Sequence, residues 1–300
     1  MINGAKVKKW LKMFAGKSMH HVSQGVGKNY SFTSVKGYYN DLTNKVLLDK
    51  EHINDIEPFS IEFEGNDIIF SIAIFQYGLA SYDLFLETGD ELYLHKFIAH
   101  ANWAVSNQNN DGSWETFGFM YPQHPYSSMA QGEGISLLVR AYCFTNNTMY
   151  LNAALNAYEF MVKPVESGGT AKYEKNKIYF LEYTHLPYVF NGWIFSIFGV
   201  MDLFILTGEV KYKHILDKTL DTFINCLPKM DNGYWSMYRN DKTIASPFYH
   251  SLHISLLAVL YHYTLIPVLN EYRERFIKYQ SKSWNRKRAL IKKSFQKIFE

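Results

Sequence analysis

A repeated pattern of apolar helices and short turns constrains the fold of this 300-residue chain more than any other feature. The pattern recurs at intervals of about 55–60 residues, the range in which repeat arrays are expected. Within each copy, apolar residues three and four positions apart predict two helices joined by a turn, and Gly89 and Gly208 mark two of these turns. The copies begin, the last of them weakly, at Gln76, Gln131, Asn191 and His253.

Helical hairpins in series predict an all-α fold, an α/α toroid or incomplete α/α barrel of about four hairpins. The first helices of the hairpins would surround a central funnel, and long loops rich in Gly and aromatic residues would build one face of it. Ile56–Ile61 and Ile68–Phe70 predict a small β lead-in. We expect three parts: an irregular basic arm over 1–45 with a helix near Lys6–Phe14, a barrel domain over 46–270 and a basic amphipathic helix over 271–300.

The net charge of +3 is unevenly distributed. Residues 1–28 contain six lysines and no acidic residue, and residues 271–300 contain ten Lys or Arg and three Glu, so the middle of the chain is acidic. Any cationic site in the barrel must therefore be local. Around Trp284 and Phe295 the C-terminal helix is either a solvated surface helix or a docking element for an acidic membrane surface, a capsule-assembly partner or a second subunit in a homodimer. We expect this helix not to be part of the catalytic machinery.

Several classes of protein are not indicated. Two cysteines cannot form a disulfide framework, no segment reaches 18 uninterrupted apolar residues, and no secretory signal is visible. These features predict a cytoplasmic protein, peripheral to the membrane if the C-terminal helix docks there. The chain has no dinucleotide or phosphate-loop motif and no Gly-x-Ser-x-Gly elbow, and nothing points to nucleic acid. His250 and His253 have a spacing that suits metal ligands but lack a visible third ligand, so no metal site is predicted.

Aromatic residues make up 17% of the chain. They predict either an aromatic core or a carbohydrate site in which sugar faces pack on flat rings. Three stretches place ionisable side chains in apolar context at the predicted funnel mouth. Glu and Tyr there are candidate proton donors and acceptors, and Arg and His are candidate groups for neutralising an anion. The stretches are Glu182–Trp193, Trp235–Arg239 and Phe248–His253.

These motifs, taken in order over roughly residues 70–260, resemble the glucuronyl C5-epimerases, which convert D-glucuronate to L-iduronate within heparan-type chains. The block from Tyr126 to Tyr142 carries the closest resemblance. Further similar segments are Ala101–Trp103, Gly112–Trp114, Glu182–Tyr183, Asn191–Gly192, the Tyr238 loop and Tyr249–His253.

The resemblance implies an α/α-barrel enzyme that needs no cofactor and acts on an acidic, glucuronate-containing polysaccharide such as heparosan. It implies catalysis by Glu182, Tyr183, Tyr238 and Tyr249. The expected substrate-binding residues are Trp114, Tyr126, Gln131, Glu133, Asn191, Arg239, His250 and His253. Where family members have Tyr-Asp-Leu-Arg, this chain has Tyr238-Arg239-Asn240-Asp241, so either Arg239 or Lys242 would meet the substrate carboxylate.

Epimerisation removes a proton α to a carboxylate and returns a proton on the opposite face, so it needs two acid/base groups and a cation. Glu182 or Tyr183 would serve one face and Tyr249 the other, with Tyr238 in support. A Tyr base would need a cation such as Arg239, His250 or His253 nearby. A polysaccharide lyase forms the same enolate but expels the C4 oxygen, and a non-catalytic polysaccharide-binding protein would keep the fold without turnover. Both alternatives stay open at the level of sequence.

Overall fold

The computed structural model describes residues 22–299, most of which form helices. The helices in this range are α1 Asn44–Leu47, α2 Ser71–Thr88, α3 Glu91–Ser106, α4 Ser128–Thr145, α5 Thr148–Val162, α6 Phe190–Thr207, α7 Val210–Cys226, α8 Pro247–Thr264, α9 Pro267–Ser281 and α10 Ser283–Phe299. Short 3₁₀ turns occupy Val165–Ser167 and Leu227–Met230. Six strands pair as three antiparallel hairpins: β1 Ile61–Phe63 with β2 Asn66–Ile68, β3 Ala171–Glu174 with β4 Lys177–Phe180, and β5 Met237–Arg239 with β6 Thr243–Ile244.

Eight of the helices form four hairpins, which confirms the predicted α/α toroid. The inner helices α2, α4, α6 and α8 pack side by side in chain order, and α3, α5, α7 and α9 cover them from outside. The first fourteen residues of both α4 and α6 are buried, so neither helix has a solvent-exposed face over this stretch. The inner helices therefore form the core of the toroid.

Two glycines allow α4 and α6 to approach each other closely. A Cβ on Gly132 would lie 2.5 Å from the backbone of Phe195 and Ser196, and a Cβ on Gly199 would lie 2.7 Å from the Cα of Gly132. Real Cβ atoms do not come so close to backbone atoms. The backbones of α4 and α6 are thus in direct contact at this level.

The four hairpins share one turn geometry. Each inner helix ends in a threonine whose hydroxyl donates to the carbonyl four residues earlier, at 2.7–2.8 Å, and accepts from the amide two residues later, at 3.2 Å. The residue after the threonine adopts the left-handed conformation that ends a helix. The pairs are Thr88–Gly89, Thr145–Asn146, Thr207–Gly208 and Thr264–Leu265.

The described part of the arm is irregular, as expected, but it belongs to the core. Tyr38, Tyr39 and Leu42 are fully buried. The arm bridges the two ends of the inner layer: the Tyr38 amide donates to Asp83 on α2 at 2.9 Å, and Tyr30 bonds His262 on α8 at 3.0 Å. The helix expected near Lys6–Phe14 lies outside the described residues.

The prediction of a single helix over 271–300 is wrong. The chain there contains the end of α9, the outer helix of the fourth hairpin, and then a separate helix, α10. Lys282 between them adopts an extended backbone, φ −81° and ψ 115°, which ends α9. The β lead-in is present, but its strands begin and end a few residues from the predicted positions.

Among the described residues, α6 is long and apolar enough, by length and composition alone, to cross a membrane. Most of it is buried against the other inner helices, and the core helix of a soluble protein meets the same criteria. This helix does not contain 18 uninterrupted apolar residues, so the sequence alone did not predict it as a membrane span.

Replacing Leu265 with glycine should raise the free energy of unfolding by about 0.5–1 kcal/mol, because a left-handed backbone costs a non-glycine residue about 1–2 kcal/mol and the greater flexibility of the unfolded glycine chain offsets part of the gain. Leu265 has φ 57° and is 71% exposed, so little apolar contact is lost. Denaturant unfolding measures the change. Gly208→Leu is the matched control: its turn is the same and its Cβ would meet no atom within 4 Å, so it should be destabilising. A loss of stability in Leu265→Gly would contradict the assignment of strain to this turn.

Candidate active site

A cavity of about 250 Å³ opens where the inner helices begin. Its wall includes Ala73 from α2, Met129 from α4, Asn191 from α6 and Tyr249 from α8. The β1–β2 hairpin borders it through Ile61, Glu62 and Phe63. Because the hairpins all run in the same sense, the first turns of the inner helices meet at this end of the toroid, where the funnel mouth was predicted.

Glu182, two residues after the end of β4, is a buried carboxyl group in this cavity. Its Oε1 accepts a 3.4 Å hydrogen bond from the Tyr238 hydroxyl, and its Oε2 has no hydrogen-bond partner among the described residues. Burial raises the pKa of Glu182 to about 7, and hydrogen bonds from Tyr183 and Tyr238 and the charge of Arg239 oppose that rise. A carboxyl group with this pKa exchanges protons readily at neutral pH.

Gly192 in the first turn of α6 makes room for that carboxyl group. A Cβ at this position would collide with Oε2 of Glu182. The Glu182 side chain is therefore held against the start of α6, beside Asn191.

Three tyrosines surround Glu182. The Tyr183 ring stacks on Phe117 with centroids 4.4 Å apart, and the rings of Tyr238 and Tyr249 lie 4.7 Å apart. Burial raises the pKa of all three phenols, and the Glu182 charge raises these pKa values further. At neutral pH the three hydroxyls are therefore protonated and can act as proton donors.

Tyr238 connects the acid/base groups. Besides its contact with Glu182, its hydroxyl is hydrogen-bonded to Tyr183 and Tyr249. The four residues expected to be catalytic thus form one hydrogen-bonded cluster on the cavity wall.

The expected binding residues divide between the cavity and its surroundings. Asn191 lines the cavity, and its Oδ1 has no hydrogen-bond partner among the described residues. Arg239 does not line the cavity, and its Nε donates to Asp241 at 2.6 Å. Lys242 is exposed on the β5–β6 turn and does not border the cavity.

Trp114, Gln131 and Tyr126 lie outside the cavity. Gln131 is buried and bonds the Trp114 amide, the Gly112 carbonyl and the Ala157 carbonyl, which uses the capacity of its side chain for structure. Trp114 is 1% exposed and donates its indole N–H to Ala104. It borders a neighbouring cleft of about 430 Å³ that shares Ile68 and Phe119 with the cavity. Tyr126 packs edge-on against Phe160.

Glu133 lies buried beneath the cavity. Its Oε1 accepts from Gln76, a cavity residue, at 2.8 Å, and its Oε2 has no hydrogen-bond partner among the described residues. Burial raises the pKa of Glu133 to about 8. Glu133 is therefore mostly an uncharged acid at neutral pH and reaches the cavity through Gln76.

His250 and His253 are structural and do not line the cavity. His250 stacks on Trp235 at 3.7 Å, donates from Nε2 to the Phe276 carbonyl and accepts at Nδ1 from the Ser236 amide. His253 bonds the Ser236 hydroxyl through Nδ1 and stacks on Phe190. Burial lowers the pKa of His250 to about 4 and that of His253 well below its usual value, so neither supplies a positive charge at neutral pH. Within residues 22–299 no cluster of three or more metal-ligating side chains occurs.

The C-terminal helix α10 contributes no residue to the cavity wall within the described part of the chain, but it contacts the hairpin that carries Tyr238. Gln296 of α10 accepts from the Ile244 amide at 2.9 Å and donates to the Lys242 carbonyl at 2.8 Å. The Lys293 ammonium lies 5.5 Å from the centre of the Tyr238 ring. α10 therefore supports the β5–β6 hairpin that carries Tyr238.

Two parts of the cavity were not anticipated as site residues. Lys45 of α1 and Gln24 of the arm border it, and so does the β1–β2 hairpin. Lys45 is the only Lys or Arg among the described residues that line the cavity. The hairpin can be recognised in the sequence from the alternation of Ile61 and Phe63 before Gly65. Nothing in the sequence distinguishes a single lysine in an irregular arm.

We expect the Glu182 carboxyl group to titrate near pH 7 and that of Glu133 near pH 8, because burial disfavours both carboxylates. Each group is the uncharged acid below its pKa and the carboxylate above it. Carbon-13 NMR of protein labelled at the glutamate carboxyl measures both titrations, and Glu182→Gln and Glu133→Gln assign the signals. Titration of both groups near the ordinary value of about 4.3 would contradict the electrostatics of this site.

Comparison with known proteins agrees with this geometry. The family model described as D-glucuronyl C5-epimerase C-terminus matches residues 116–278. A D-glucuronyl C5-epimerase of Caenorhabditis elegans is 28% identical over 218 residues, which are 63% of this chain and 35% of that protein. An uncharacterized protein of Methanocaldococcus jannaschii is 31% identical over 159 residues, 49% of this chain and 52% of that protein. The chain thus spans 35% and 52% of the lengths of these two relatives.

A crystal structure of an unsaturated glucuronyl hydrolase specific for heparin shares the fold. The two chains align with a TM-score of 0.52 and 13% sequence identity, over 72% of this chain and 63% of the other. This likeness concerns architecture alone and agrees with the helical toroid. The family model, in contrast, covers more than half of this chain, and the matched range includes the whole cluster of Glu182, Tyr183, Tyr238 and Tyr249. The chain therefore belongs to the D-glucuronyl C5-epimerase family.

Proposed function

We propose that this protein converts D-glucuronate to L-iduronate residues within a heparosan-like polymer, by removing the C5 proton on one face of the sugar and supplying a proton on the other. The observation that carries this proposal is the cluster around Glu182. One cavity combines a carboxyl group with a pKa of about 7 and three protonated phenols. Proton removal and proton delivery at the same carbon need such a pair of groups.

Glu182 is the base for D-glucuronate in this mechanism. Its carboxylate form is well populated at neutral pH, whereas the buried phenols are neutral. The electron pair of the C5–H bond moves into an enolate that carries two negative charges, which hydrogen-bond donors and a cation must stabilise. Asn191 offers an amide at the same wall.

Tyr249 is the acid that protonates C5 from the opposite face. This step leaves Tyr249 as a phenolate and Glu182 as a carboxylic acid, so a proton must return from Glu182 to Tyr249 before the next turnover. Tyr238 is hydrogen-bonded to both residues and provides that route. No redox change occurs, so the residues of this chain can complete the cycle by proton transfer.

The polymeric substrate needs room on both sides of the reacting sugar. The cleft beside Trp114, which shares Ile68 and Phe119 with the cavity, offers space for neighbouring units. Its lining includes Trp103, an aromatic surface of the kind that packs on sugar faces.

The test is incubation of heparosan in heavy water. We expect deuterium at C5 and the appearance of iduronate, both followed by NMR, with no change in chain length. A lyase would instead create unsaturated chain ends that absorb ultraviolet light, and a non-catalytic binding protein would produce neither signal. Either result would overturn the proposal.

Glu182→Gln should lower C5 exchange from D-glucuronate units by about 10²–10⁴-fold, the usual contribution of a positioned acid/base group. Exchange from L-iduronate units should persist and increase with pH, because Tyr249 faces that proton and loses the neighbouring charge that raises its pKa. Exchange of deuterium into each epimer, measured separately by NMR, gives both rates.

Tyr249→Phe is the matched variant and should show the opposite preference. Equal loss from both epimers in Glu182→Gln would mean that Glu182 acts by orienting Tyr183 or Tyr238 rather than by touching C5.

A further inference from the structure

No Lys or Arg of the β5–β6 hairpin lines the cavity in which the uronate carboxylate would be neutralised. Arg239 is bonded to Asp241, Lys242 is exposed, and neither residue lines the cavity. The histidines expected to help are neutral. A dianionic enolate in a cavity without a cation would be strongly disfavoured.

Lys45 lines the cavity and lies in a segment with a fixed backbone. Thr43 before it bonds Asp41 through both its amide and its hydroxyl, at 3.0 and 2.6 Å, and Asn44 donates to the Ser23 carbonyl. Val46 after it is fully buried. These contacts hold α1 in place, so that Lys45 borders the same cavity as Glu182, Asn191 and Tyr249.

We propose that Lys45 is the residue that binds the carboxylate of the reacting uronate, an inference that rests on the proposed epimerase function. It would hold C5 between Glu182 and Tyr249 and stabilise the charge that develops on the carboxylate. The arm thereby supplies the cation, because no other Lys or Arg lines the described part of the cavity wall.

Lys45 carries a positive charge at neutral pH. Burial lowers the pKa of Lys45 to about 8, with the Glu133 charge opposing that change, and burial raises the pKa of Glu133 to about 8. At neutral pH the ammonium is therefore mostly charged while Glu133 is mostly an uncharged acid. The other ionisable groups around Lys45 are Asp49, Tyr77 and His100 in an adjoining pocket and Glu62 at the cavity edge.

Lys45→Met tests the assignment, with Lys50→Met as the matched control on an exposed lysine of the same segment. Calorimetry compares binding of a heparosan oligosaccharide with that of its carboxyl-reduced form, in which each carboxylate is a hydroxymethyl group. We expect the wild type and Lys50→Met to prefer the carboxylated sugar by at least tenfold and Lys45→Met to lose the preference. In C5 exchange, Lys45→Met should lower kcat by about 10²–10³-fold, and Lys45→Arg should recover part of it.

Retention of both carboxylate preference and exchange in Lys45→Met would overturn the assignment while leaving the proposed function intact. A wild type that binds carboxylated sugar through Lys45 but shows no exchange would instead overturn the proposed function alone. If Lys45→Met does not fold, the wild-type pH profile decides: exchange must fall as pH rises through about 8, and Lys45→Arg must move that fall to higher pH.

A second, independent observation concerns the outer face of α10. Trp284, Ile291 and Phe295 lie on one side of this helix and are 74%, 58% and 58% exposed. Lys287, Arg288 and Lys292 flank them and share a shallow groove with them. The opposite side of α10, with Ala289, Lys293 and Gln296, packs on the β5–β6 hairpin.

We infer that this outer face docks on an anionic lipid membrane. Exposed aliphatic and aromatic side chains flanked by cations are the composition of helices that lie in a membrane interface. The positive charge of the segment disfavours pairing with a second copy of itself. Ile291 offers no flat ring for a sugar, which favours a lipid surface over the polysaccharide.

Co-sedimentation with vesicles tests this surface. We expect binding to vesicles that contain phosphatidylglycerol to exceed binding to pure phosphatidylcholine by at least tenfold, and Trp284→Ser/Ile291→Ser/Phe295→Ser to abolish the difference. Val210→Ser is the control, because Val210 is also an exposed apolar residue, with 81% of its surface accessible. This variant should bind normally. Equal binding to both vesicles, normal binding of the triple variant, displacement by heparosan or a concentration-dependent dimer lost in that variant would each overturn the inference.

Discussion

The buried ion pair between Arg140 of α4 and Asp202 of α6 is the interaction on which the arrangement of the arm and the inner helices depends. Both side chains are 1% exposed, and Nη1 of Arg140 lies 2.6 Å from Oδ2 of Asp202. Two charges buried this deeply are tolerated only where further hydrogen bonds satisfy them. The arm provides those bonds, because the Gly37 carbonyl accepts from Arg140 at 3.0 Å and the Tyr39 hydroxyl donates to Asp202 at 2.8 Å.

This requirement links the core to the cavity. The same stretch of arm that completes the ion pair continues within a few residues into α1, which carries Lys45 to the cavity wall. Arg140 also lies 5.2 Å from the centre of the Tyr38 ring, so its guanidinium is enclosed by the arm. An arm that looks irregular in sequence is thus fixed by the electrostatic needs of two inner helices.

The hairpins could be predicted from sequence because their chemistry is periodic: the inner helices repeat, and each ends in the same threonine turn. The positions of Lys45 and α10 could not, since both depend on contacts between distant parts of the chain. The candidate site was predicted in part. Glu182, Tyr183, Asn191, Tyr238 and Tyr249 line one cavity, whereas other polar residues of the same motifs do not.

The difference between these groups lies in how completely their hydrogen bonds are used, which sequence does not display. Gln131 uses both ends of its amide to bond backbone and His250 uses both ring nitrogens, so both residues stabilise loops and have nothing left for a ligand. Glu182 and Asn191 each face the cavity with an oxygen that lacks a partner among the described residues. A buried polar atom without a partner is costly, and a bound substrate could supply one. The motifs that resemble the family therefore contain both structural residues and candidate reactive groups.

The two faces of α10 have different contacts. Its inner face holds the hairpin that carries Tyr238, through Gln296 and Lys293, and its outer face carries exposed Trp284 and Phe295. Removal of the whole helix would change both at once, since the loss of Gln296 frees the Ile244 amide and the Lys242 carbonyl beside the site. Single substitutions on the outer face leave those bonds intact. A helix held this firmly against β5 and β6 also fixes how the cavity is oriented relative to any surface on which the outer face rests, so docking there would present the cavity to substrate in one defined orientation.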